Sequence, residues 1–370
     1  MKKILFLIHD LGPGGAEKVL VNLVNNLDPS KFAVTVMTLF DVGVNRKYLK
    51  KHVRYLSCFR KMVRGNSHLM KLFSPEQLHR ILIKEHYDIE VAYLEGPCAR
   101  IISGCTAEDT KLVSWIHTEF TDRSRAKESF KNMREAERCY NTFHKIVCVS
   151  EAVKKAFLST VRINTPVCVL YNTSEYEKIT QLSHEKVDDN LFLDQEFKMI
   201  ASGKLRPDKG FERLLKTAAR LKEEKYEFHL YILGTGPEKS RLEKYSKEHG
   251  VSECVDFLGY QENPYKFIAR CDLFVCASYR EGFSTAATEA LITGTAVCTV
   301  DVGGMREMLG ENNEYGIVTA NDEGALLNGI KRVMEDRELL SYYSKKAFER
   351  GKMFRTEKTV AAVEDMLLNL

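Results

Sequence analysis

The sequence predicts an α/β fold made of two Rossmann-like domains in series. Short runs rich in β-branched and apolar residues alternate with amphipathic helical stretches along nearly all of the 370 residues. This alternation is typical of parallel sheets covered by helices. It lapses once, in the polar and acidic stretch TSEYEKITQLSHEKVDDNLFLDQE from Thr173 to Glu196, and then restarts. Two sheets joined by a connection account for both observations.

The predicted elements follow in chain order. In the first half, strands are expected at 3–8, 33–39, 89–93, 111–116, 145–149 and 167–171, with a first helix at 16–27. In the second half, strands are expected at 198–202, 227–233, 255–258, 273–277, 296–300 and 316–318, and the chain beyond residue 321 is expected to be almost wholly helical. The predicted organisation is a first domain at 1–175, a connection at 176–196, a second domain at 197–350 and a C-terminal helix at 351–370, with the first domain as its candidate packing partner.

Composition and charge exclude several classes of protein. With 44% hydrophobic and 29% charged residues, the chain is expected to be an ordinary soluble globular protein. A net charge of +4 does not suggest binding to nucleic acid by bulk electrostatics. The apolar start MKKILFLIHD stops at His9 and Asp10, and it is interpreted as a first strand. No run reaches the ~20 apolar residues that a spanning helix needs, so any membrane contact is expected to be peripheral.

Cysteine usage indicates a reducing compartment. The ten cysteines are scattered singly, with no Cys-x-x-Cys pair, which favours free thiols in a cytoplasm and no structural zinc. Four of them stand in predicted strands and are expected to be small buried hydrophobes. These are Cys148, Cys168, Cys276 and Cys298.

One segment has an uneven charge distribution. Between Val42 and Pro75 the sequence has nine Lys or Arg residues and no Asp or Glu: Arg46, Lys47, Lys50, Lys51, Arg54, Arg60, Lys61, Arg64 and Lys71. Within it, FRKMVRGNSHLMKLF interleaves these cations with Phe59, Met62, Val63, Leu69, Met70, Leu72 and Phe73. This mixture predicts that the basic segment from Arg46 to Lys71 contacts an anionic membrane or a lipid-diphosphate acceptor. A solvated basic face would explain the charges as well.

Four loops that follow strands are the candidate places for chemistry, because ligands of parallel sheets bind beyond the carboxyl ends of the strands. Their sequences are HDLGPGGAEK, SGKLRPDKGF, LGTGPE and SYREGFSTAATE. In the second loop, Lys204, Arg206 and Lys209 precede a helix start, an arrangement suited to a diphosphate. Taken alone, these cations would equally fit a solvated basic loop. In the third, Gly234 and Gly236 form a tight turn, which a backbone approach to a nucleotide requires but which is also common between strands and helices.

The fourth loop places two carboxylates on either side of a helix start, in the stretch EGFSTAATE. Ser284 and Thr285 are good N-cap residues for a helix at 286–292. The backbone N–H groups of Ser284, Thr285 and Ala286 would face a phosphate. Glu289, one turn inside the helix, would then reach ribose hydroxyls, and Glu281 would face a sugar beyond the diphosphate. A nucleotide sugar satisfies both carboxylates, whereas simple compensation of the helix dipole explains only Glu289.

These motifs together resemble a known family. EGFS followed by EAL and TGTAV, with GKLRPDKGF, GTGPE, FLGY, GGAEK and VSEAV, is similar to the retaining GT-B glycosyltransferases of family 4, also called glycosyl transferases group 1. The resemblance spans nearly the whole chain. It implies two Rossmann-like domains with a cleft between them, in which the N-terminal domain binds the acceptor and the C-terminal domain binds the nucleotide sugar.

The resemblance also implies residue roles. Lys209, with Lys204 or Arg206 beside it, would bind the donor diphosphate, and Gly14 and Gly15 would approach it from across the cleft. His117 in SWIHT would line the sugar pocket, although a histidine at a strand end is more often a packed or capping residue. The implied catalytic residues are Glu281, Lys209 and His117. The implied donor-binding residues are Gly14, Gly15, Lys204, Arg206, Lys209, Gly234, Gly236, Ser284, Thr285, Ala286 and Glu289.

Two positions depart from the family pattern. Lys204 stands where the family usually has Arg, so the charge is kept while the bidentate fork is lost. Ala296 stands where a proline is common, which is expected to alter only the turn.

The implied activity is hexosyl transfer with retention, from a nucleotide sugar, with a UDP-sugar favoured, to a glycan or lipid-linked acceptor. The implied setting is the synthesis of bacterial capsule, O-antigen or another cell-surface polysaccharide, in the cytoplasm or on the inner face of the membrane. No metal or other cofactor is expected. The chain has no Asp-x-Asp pair at a strand end, and the basic loop supplies the positive charge that a metal would bring.

Three alternatives remain open at this stage. A dinucleotide oxidoreductase would use Gly12 and Gly14 after the first strand and Asp41 after the second, although Glu17 occupies the third glycine position. A nucleotide-sugar epimerase or a phosphorylase could use the same scaffold, but the chain is short for a phosphorylase and the paired glutamates do not suit an epimerase. A non-catalytic partner subunit would keep the fold without turnover.

Overall fold

The computed structural model describes residues 1–61, 70–120, 122–187, 192 and 196–370. These divide into two compact units. Unit 1 comprises Met1–Thr173 together with Thr356–Leu370, and unit 2 comprises Ser174–Arg355. Met62, Val63, Arg64 and Leu69, which the sequence analysis placed in the basic segment, lie outside the described residues.

Unit 1 is built on a seven-stranded parallel sheet in the order β3-β2-β1-β4-β5-β6-β7. Its strands are β1 (Lys2–Ile8), β2 (Phe32–Phe40), β3 (Arg54–Phe59), β4 (Ile89–Ala92), β5 (Lys111–Ile116), β6 (Lys145–Cys148) and β7 (Val167–Val169). Its helices are Gly15–Asn26, Pro75–Leu82, Pro97–Ile102, Arg123–Ala126, Met133–Tyr140, Glu151–Thr160 and Thr356–Leu368, with a 3-10 helix at Val44–Tyr48.

Unit 2 is built on a six-stranded parallel sheet in the order β10-β9-β8-β11-β12-β13. Its strands are β8 (Phe197–Ser202), β9 (Phe228–Leu233), β10 (Val255–Gly259), β11 (Leu273–Cys276), β12 (Ala296–Val300) and β13 (Ile317–Thr319). Its helices are Tyr176–Ser183, Phe211–Glu223, Lys239–Glu248, Tyr265–Ile268, Thr285–Thr293, Met305–Leu309, Glu323–Glu335 and Arg337–Gly351, with 3-10 helices at Pro207–Lys209 and Lys352–Phe354.

Each unit has its own core, centred on strands that are covered on both faces. Ile4 through Ile8 of β1 and all of β12 are buried, as expected for central strands between two helical layers. Such strands are continuous apolar runs, which is why the sequence pattern located them to within a residue or two. The α/β fold with two parallel sheets is confirmed.

Two elements were missed from the sequence. The edge strand β3 has exposed residues at Arg54, Ser57 and Phe59, because an edge strand buries little and lacks an apolar run. The helix Tyr176–Ser183 lies in the stretch expected to be a connection. It buries Tyr176, Ile179 and Ser183, a stripe too narrow to stand out as a periodic pattern.

The C-terminal helix Thr356–Leu368 is part of unit 1. Glu364 accepts hydrogen bonds from the backbone N–H of Asp28 and from Lys31, both at 2.7 Å. Lys2 donates to the carbonyl of Leu367 at 3.1 Å. Among the described helices, none is both long and apolar enough to cross a membrane.

Candidate functional site

In unit 2, the three candidate loops follow strands that are neighbours in the sheet: β9, β8 and β11. The loops after β8 and β9 are joined by backbone hydrogen bonds, from Gly203 to the carbonyl of Leu233 at 3.0 Å and from Leu205 to that of Thr235 at 2.9 Å. A Cβ at Gly234 would lie 1.9 Å from the carbonyl oxygen of Gly203. The backbones therefore pass so close together that only glycine fits.

A second close approach brings the loop after β8 to the loop after β11. Gly210 has a left-handed φ of 67°, and a Cβ there would lie 1.9 Å from the carbonyl oxygen of Ala277. The backbone N–H of Tyr279 donates to the carbonyl of Asp208 at 2.9 Å. Lys209, between these two contacts, is thereby held against the segment that carries Glu281.

Lys209 and Glu281 form an ion pair. Lys209 Nζ lies 2.7 Å from Glu281 Oε1, and their side chains are 29% and 9% exposed. The hydroxyl of Ser278 donates to the same carboxylate oxygen at 2.7 Å. Burial alone would lower the pKa of Lys209, but the charge of Glu281 and the hydrogen bond between them raise it above its ordinary value. The site therefore holds a half-buried ammonium group that stays charged at neutral pH.

The helix start predicted at 284–286 is present. The helix Thr285–Thr293 begins one residue earlier than expected, and Ser284 is its N-cap, with its hydroxyl accepting from the N–H of Ala287 at 3.3 Å. The first N–H groups of a helix have no carbonyl within the helix to bind, so this end can hold an anion. Glu289 lies buried in the second turn.

The loop after β12 supports this helix start from the other side. The N–H of Gly304 donates to the carbonyl of Gly282 at 3.0 Å. Gly303 has a φ of 50°, and a Cβ there would lie 2.3 Å from the carbonyl oxygen of Glu281. The main chain on both sides of Glu281 is thus fixed by neighbouring loops.

Lys204 and Arg206, the other two cations predicted to bind the diphosphate, are not part of the ion pair with Glu281. Lys204 is exposed, while Arg206 pairs with Asp208 of its own loop through bonds of 2.8 and 2.9 Å. Gly236 is required by packing, because a Cβ there would lie 2.3 Å from the carbonyl oxygen of Leu205. Lys209 is therefore the cation that the structure brings to the paired carboxylate.

In unit 1, His117 follows β5 and is buried. Its backbone N–H donates to Glu95 at 3.0 Å, the hydroxyl of Thr118 donates to the other oxygen of Glu95, and its ring lies against Tyr93 with centroids 4.9 Å apart. Burial lowers its pKa to about 3, against a hydrogen bond to the Tyr93 carbonyl. Nε2 is buried without a hydrogen-bond partner among the described residues. The proton is therefore on Nδ1, and Nε2 is left as an acceptor.

Gly14 and Gly15 lie where the first helix of unit 1 begins. Gly14 is its N-cap, with extended backbone, and a Cβ there would lie 2.1 Å from the carboxylate of Glu17. Asp10, in the same loop, accepts from the N–H of Gly12 at 2.7 Å and pairs with His9 at 2.7 Å. The loop is held in shape by its own carboxylates.

Comparison with known proteins identifies the chain. Residues 13–175 match the family described as Glycosyltransferase Family 4, and residues 183–350 match the one described as Glycosyl transferases group 1. The two matches cover nearly the whole length. The chain belongs to the glycosyltransferases of family 4, also called glycosyl transferases group 1.

Similar proteins agree with that assignment. A Campylobacter jejuni N-acetylgalactosamine-N,N'-diacetylbacillosaminyl-diphospho-undecaprenol 4-alpha-N-acetylgalactosaminyltransferase is 29% identical over 96% of each chain. Sucrose-phosphate synthase from Thermosynechococcus elongatus has a TM-score of 0.81 at 16% identity, over 100% of this chain and 99% of that one. Anabaena HepE, solved with UDP, has a TM-score of 0.77 at 20% identity over all of both chains. Both structures share the GT-B fold of this glycosyltransferase.

The structure gives local partners to Asp41, the acid on which the oxidoreductase alternative depends. Asp41, the acid expected to bind ribose, instead pairs with Arg46 at 2.8 Å and accepts from the hydroxyl of Tyr55 at 2.8 Å. Arg46 in turn lies over the ring of Tyr55, 4.2 Å from its centroid. Asp41 of this glycosyltransferase is engaged in local structure.

Sequence reasoning missed three residues that contact predicted site residues or their loops. Ser278 completes the hydrogen bonds of Glu281, Glu95 fixes the backbone of His117, and Arg213 lies 4.0 Å from the ring of Tyr279. Ser278 and Glu95 follow β11 and β4 by two or three residues, so the same strand-end rule could have located them. Arg213 is on a helix and had no such signal.

Proposed function

We propose that this glycosyltransferase moves a sugar, with retention of anomeric configuration, from a UDP-sugar to a glycan or lipid-diphosphate-linked acceptor in bacterial cell-surface polysaccharide synthesis. The observation that carries the proposal is the Lys209–Glu281 pair beside the capped start of helix Thr285–Thr293. A charged ammonium, free helix N–H groups and a carboxylate match the diphosphate and sugar of such a donor. The lipid-diphosphate acceptor named for the Campylobacter relative and the UDP bound to HepE support the donor and acceptor classes.

Lys209 is suited to hold the donor diphosphate. An ammonium group has three N–H donors, and the described contacts of Lys209 use one of them, toward Glu281. The remaining donors can reach phosphate oxygens without breaking the pair. Because Glu281 keeps Lys209 charged, the positive charge is in place before the leaving group becomes more negative, which is the condition for electrostatic stabilisation of departure.

Glu281 is suited to the sugar end of the donor. One of its oxygens is taken by Lys209 and Ser278, and the second remains available to accept from a sugar hydroxyl. As the bond between the anomeric carbon and the diphosphate breaks, the sugar ring becomes positively charged and the carboxylate stabilises it. The acceptor oxygen then bonds to the anomeric carbon on the same face, and the acceptor proton leaves with the nucleoside diphosphate.

We propose that turnover needs no divalent metal, because Lys209 and the helix start supply the positive charge on the donor diphosphate. Activity is therefore expected to persist in excess chelator. Loss of turnover in chelator that manganese restores would contradict this part of the proposal.

The proposal is tested with the purified chain in two steps. A thermal-shift screen of UDP, GDP, CDP and ADP is expected to give the largest rise in Tm with UDP, since a ligand of the folded state stabilises it. UDP-sugars are then offered with and without lipid-diphosphate glycans, and release of UDP is measured. Preference for another nucleotide would overturn the UDP assignment. Donor binding with neither hydrolysis nor transfer would favour a non-catalytic partner subunit.

A further inference from the structure

A cluster of three unlike side chains lies in unit 1, apart from the loops described above. His79 is on the helix Pro75–Leu82, Glu90 is on β4, and Cys105 follows the helix Pro97–Ile102. One ligand atom from each lies within 4.8 Å of the other two. Three separate elements therefore bring a nitrogen, an oxygen and a sulfur together, in a part of the fold to which the proposed transfer reaction assigns no role.

The main chain holds these three groups in place. A Cβ at Gly104 would lie 2.0 Å from the carbonyl oxygen of Pro75, so the turn before Cys105 fits closely against the first turn of the helix that carries His79. The N–H of Cys105 donates to the carbonyl of Ile102 at 3.1 Å. Glu90 sits in the middle of the sheet, paired in register with Leu5 and Leu112. The cluster is thus preformed by backbone packing.

Burial makes these groups unusual for a simple surface contact. Glu90 is 2% exposed and the side chain of His79 is 15% exposed, with Nε2 of His79 2.8 Å from Oε2 of Glu90. A carboxylate this deep in a protein requires a partner of opposite charge. A metal ion bound by His79 and Glu90 would supply that charge.

We propose that His79, Glu90 and Cys105 bind a zinc ion. Zinc accepts imidazole nitrogen, carboxylate oxygen and thiolate sulfur together, at distances of about 2.0 to 2.3 Å. Ligand atoms around a tetrahedral ion lie about 3.3 to 3.8 Å apart on those bond lengths. The contact of 2.8 Å between His79 and Glu90 must therefore open, and the widest separation, of up to 4.8 Å, must close, both by small side-chain movements. Binding releases the thiol proton of Cys105 and the proton between His79 and Glu90.

A cavity reaches His79 and the glycine that precedes Cys105, and it would let an ion in. A cavity of about 480 Å³ is lined by His79 together with Glu76, Lys84 and Thr106. Water from this cavity can complete four-coordination, since three protein ligands leave one position open. The zinc would join the helix Pro75–Leu82 to the sheet and to the turn after the next helix. This proposal departs from the expectation of no structural zinc, which came from cysteine spacing, and spacing rules detect only ligands that are close in sequence.

The experiment uses the full chain, stripped with chelator and returned to chelator-free buffer. Zinc is titrated by calorimetry, and cobalt(II) is added in parallel, because a cobalt–thiolate bond gives a charge-transfer absorption band that other cobalt ligands do not. The chain is expected to bind one equivalent of zinc, to rise in Tm on binding, and to show the thiolate band with cobalt.

The variants separate this site from chance binding. Cys105→Ser is expected to abolish the thiolate band, and His79→Ala to weaken zinc binding at least about tenfold. Two controls are expected to behave like the wild type: Cys168→Ser, at a half-buried cysteine in β7, and His86→Ala, at an exposed histidine paired with Asp109. Circular dichroism checks that each variant is folded.

Two results would overturn the proposal. One is a wild-type chain that shows no stoichiometric zinc binding and no thiolate band. The other is a band or zinc affinity that Cys105→Ser and His79→Ala leave unchanged. In either case His79 and Glu90 form only an internal hydrogen-bonded pair, and Cys105 lies beside it without binding a metal. The outcome is independent of transferase activity, so failure here leaves the proposed function untouched.

Discussion

The pairing of Lys209 with Glu281 shows how one carboxylate can serve two purposes. The charge of Glu281 raises the pKa of the lysine against the effect of burial, and the second carboxylate oxygen of Glu281 takes no part in the described hydrogen bonds. Glu289, eight residues later, lies inside the helix Thr285–Thr293. Removing the charge of Glu281 and removing the charge of Glu289 should therefore change different kinetic constants.

We expect Glu281→Gln to lower kcat about ten- to a hundredfold, because a hydrogen bond to a charged group contributes roughly 1.5–3 kcal/mol and this one strengthens as the sugar becomes positive. Glu289→Gln is expected to raise the donor KM and to leave kcat nearly unchanged, because ribose does not change during transfer. Ser278→Ala, which keeps the ion pair, is the control and should have a smaller effect. Steady-state kinetics on folded variants measure this, and unchanged kcat and KM in both glutamate variants would contradict it.

His117 provides a second prediction, on stability and pH. Its pKa of about 3 in the folded state lies below the ordinary value of 6.5, because burial disfavours the charged ring. The unfolded chain therefore takes up the proton first as the pH falls. The contribution of neutral His117 to stability is complete above pH 6.5 and is lost progressively toward pH 3, by about 1.4 kcal/mol per pH unit.

Urea unfolding of the wild type and of His117→Gln between pH 7 and pH 5 measures this effect. The variant is expected to lose less stability over that range, by about 1 to 2 kcal/mol. His86→Gln, at an exposed position, is the control and should follow the wild type. Parallel curves for His117→Gln and the wild type would show that the folded protein accepts the proton at His117.

The positions of candidate residues were predictable where a strand ends and a helix begins. Lys209 and Ser284 lie in segments that follow strands, as the strand rule expects, and the N-cap pattern located the helix start to one residue. The contact between Lys209 and Glu281 was not predictable, since 72 residues separate them and only the sheet order brings them together. Nor was the support that Glu95 gives to His117, for the same reason.

At the scale of elements, buried Arg100 connects its own helix, Pro97–Ile102, to the helix Met133–Tyr140 and to the chain just before the helix Pro75–Leu82. It is 1% exposed and pairs with Glu135 at 3.0 Å, and it donates to the carbonyls of Met70 and Phe73 at 2.8 and 2.7 Å. Burial alone would raise the pKa of Glu135, but bonds from Arg100 and the N–H of Lys131 hold it below its ordinary value. Removing the arginine would leave a buried carboxylate without its partner.

We expect Arg100→Ala to reduce the free energy of unfolding by about 3–5 kcal/mol, because the lost partner leaves a buried charge uncompensated. Arg123→Ala is the matched control. It breaks a pair with Glu137 in which the arginine is 53% exposed, and it should cost no more than about 1 kcal/mol. Urea unfolding measures both, and equal losses for the two variants would contradict a special role for the buried pair.

Elements with continuous apolar runs were predicted well, and those without were not. Central strands such as β1 and β12 are covered on both faces, so their sequences are apolar throughout. β3 pairs with β2 on one side only and exposes Phe59, so its residues read as part of a basic loop. Its position became apparent only from the sheet, where the pairing of Phe40 with Phe59 defines the register.

At the scale of the whole molecule, the chain has two sheets, each with a complete core. The sequence predicted this because alternation of strands and helices stops and restarts once. It suggested the first domain as the packing partner of the terminal helix, but it could not give the contacts of Thr356–Leu368 with Lys2, Asp28 and Lys31, which join the two ends of the chain. Contacts between residues more than 300 positions apart leave no local pattern in the sequence.

The surface of unit 1 leads to the last prediction, which concerns binding to membranes. In the basic segment, Arg46 and Arg54 are paired with Asp41 and Glu85, so they contribute less free charge than the sequence suggests. Other cations are exposed: Lys50, Lys51, Arg60 and Lys61. Large apolar side chains are exposed within this segment, at Phe59 (42%), and directly after it, at Leu72 (74%) and Phe73 (43%). Exposed cations with exposed apolar groups are typical of a surface that binds anionic lipid.

We expect the chain to bind vesicles containing phosphatidylglycerol and to bind phosphatidylcholine vesicles weakly, with affinity falling as salt is added, since each basic residue near an anionic surface contributes about 1 kcal/mol. Replacing Lys50, Lys51, Arg60 and Lys61 with Gln should remove most of the preference for anionic vesicles. Leu72→Ser should weaken binding to anionic vesicles with little change in salt dependence, because it removes apolar contact alone.

Lys244→Gln with Lys247→Gln, on an exposed helix of unit 2, is the charge control. Vesicle co-sedimentation measures all of these, and equal binding to neutral and anionic vesicles at low salt would mean that the basic segment is only a solvated face.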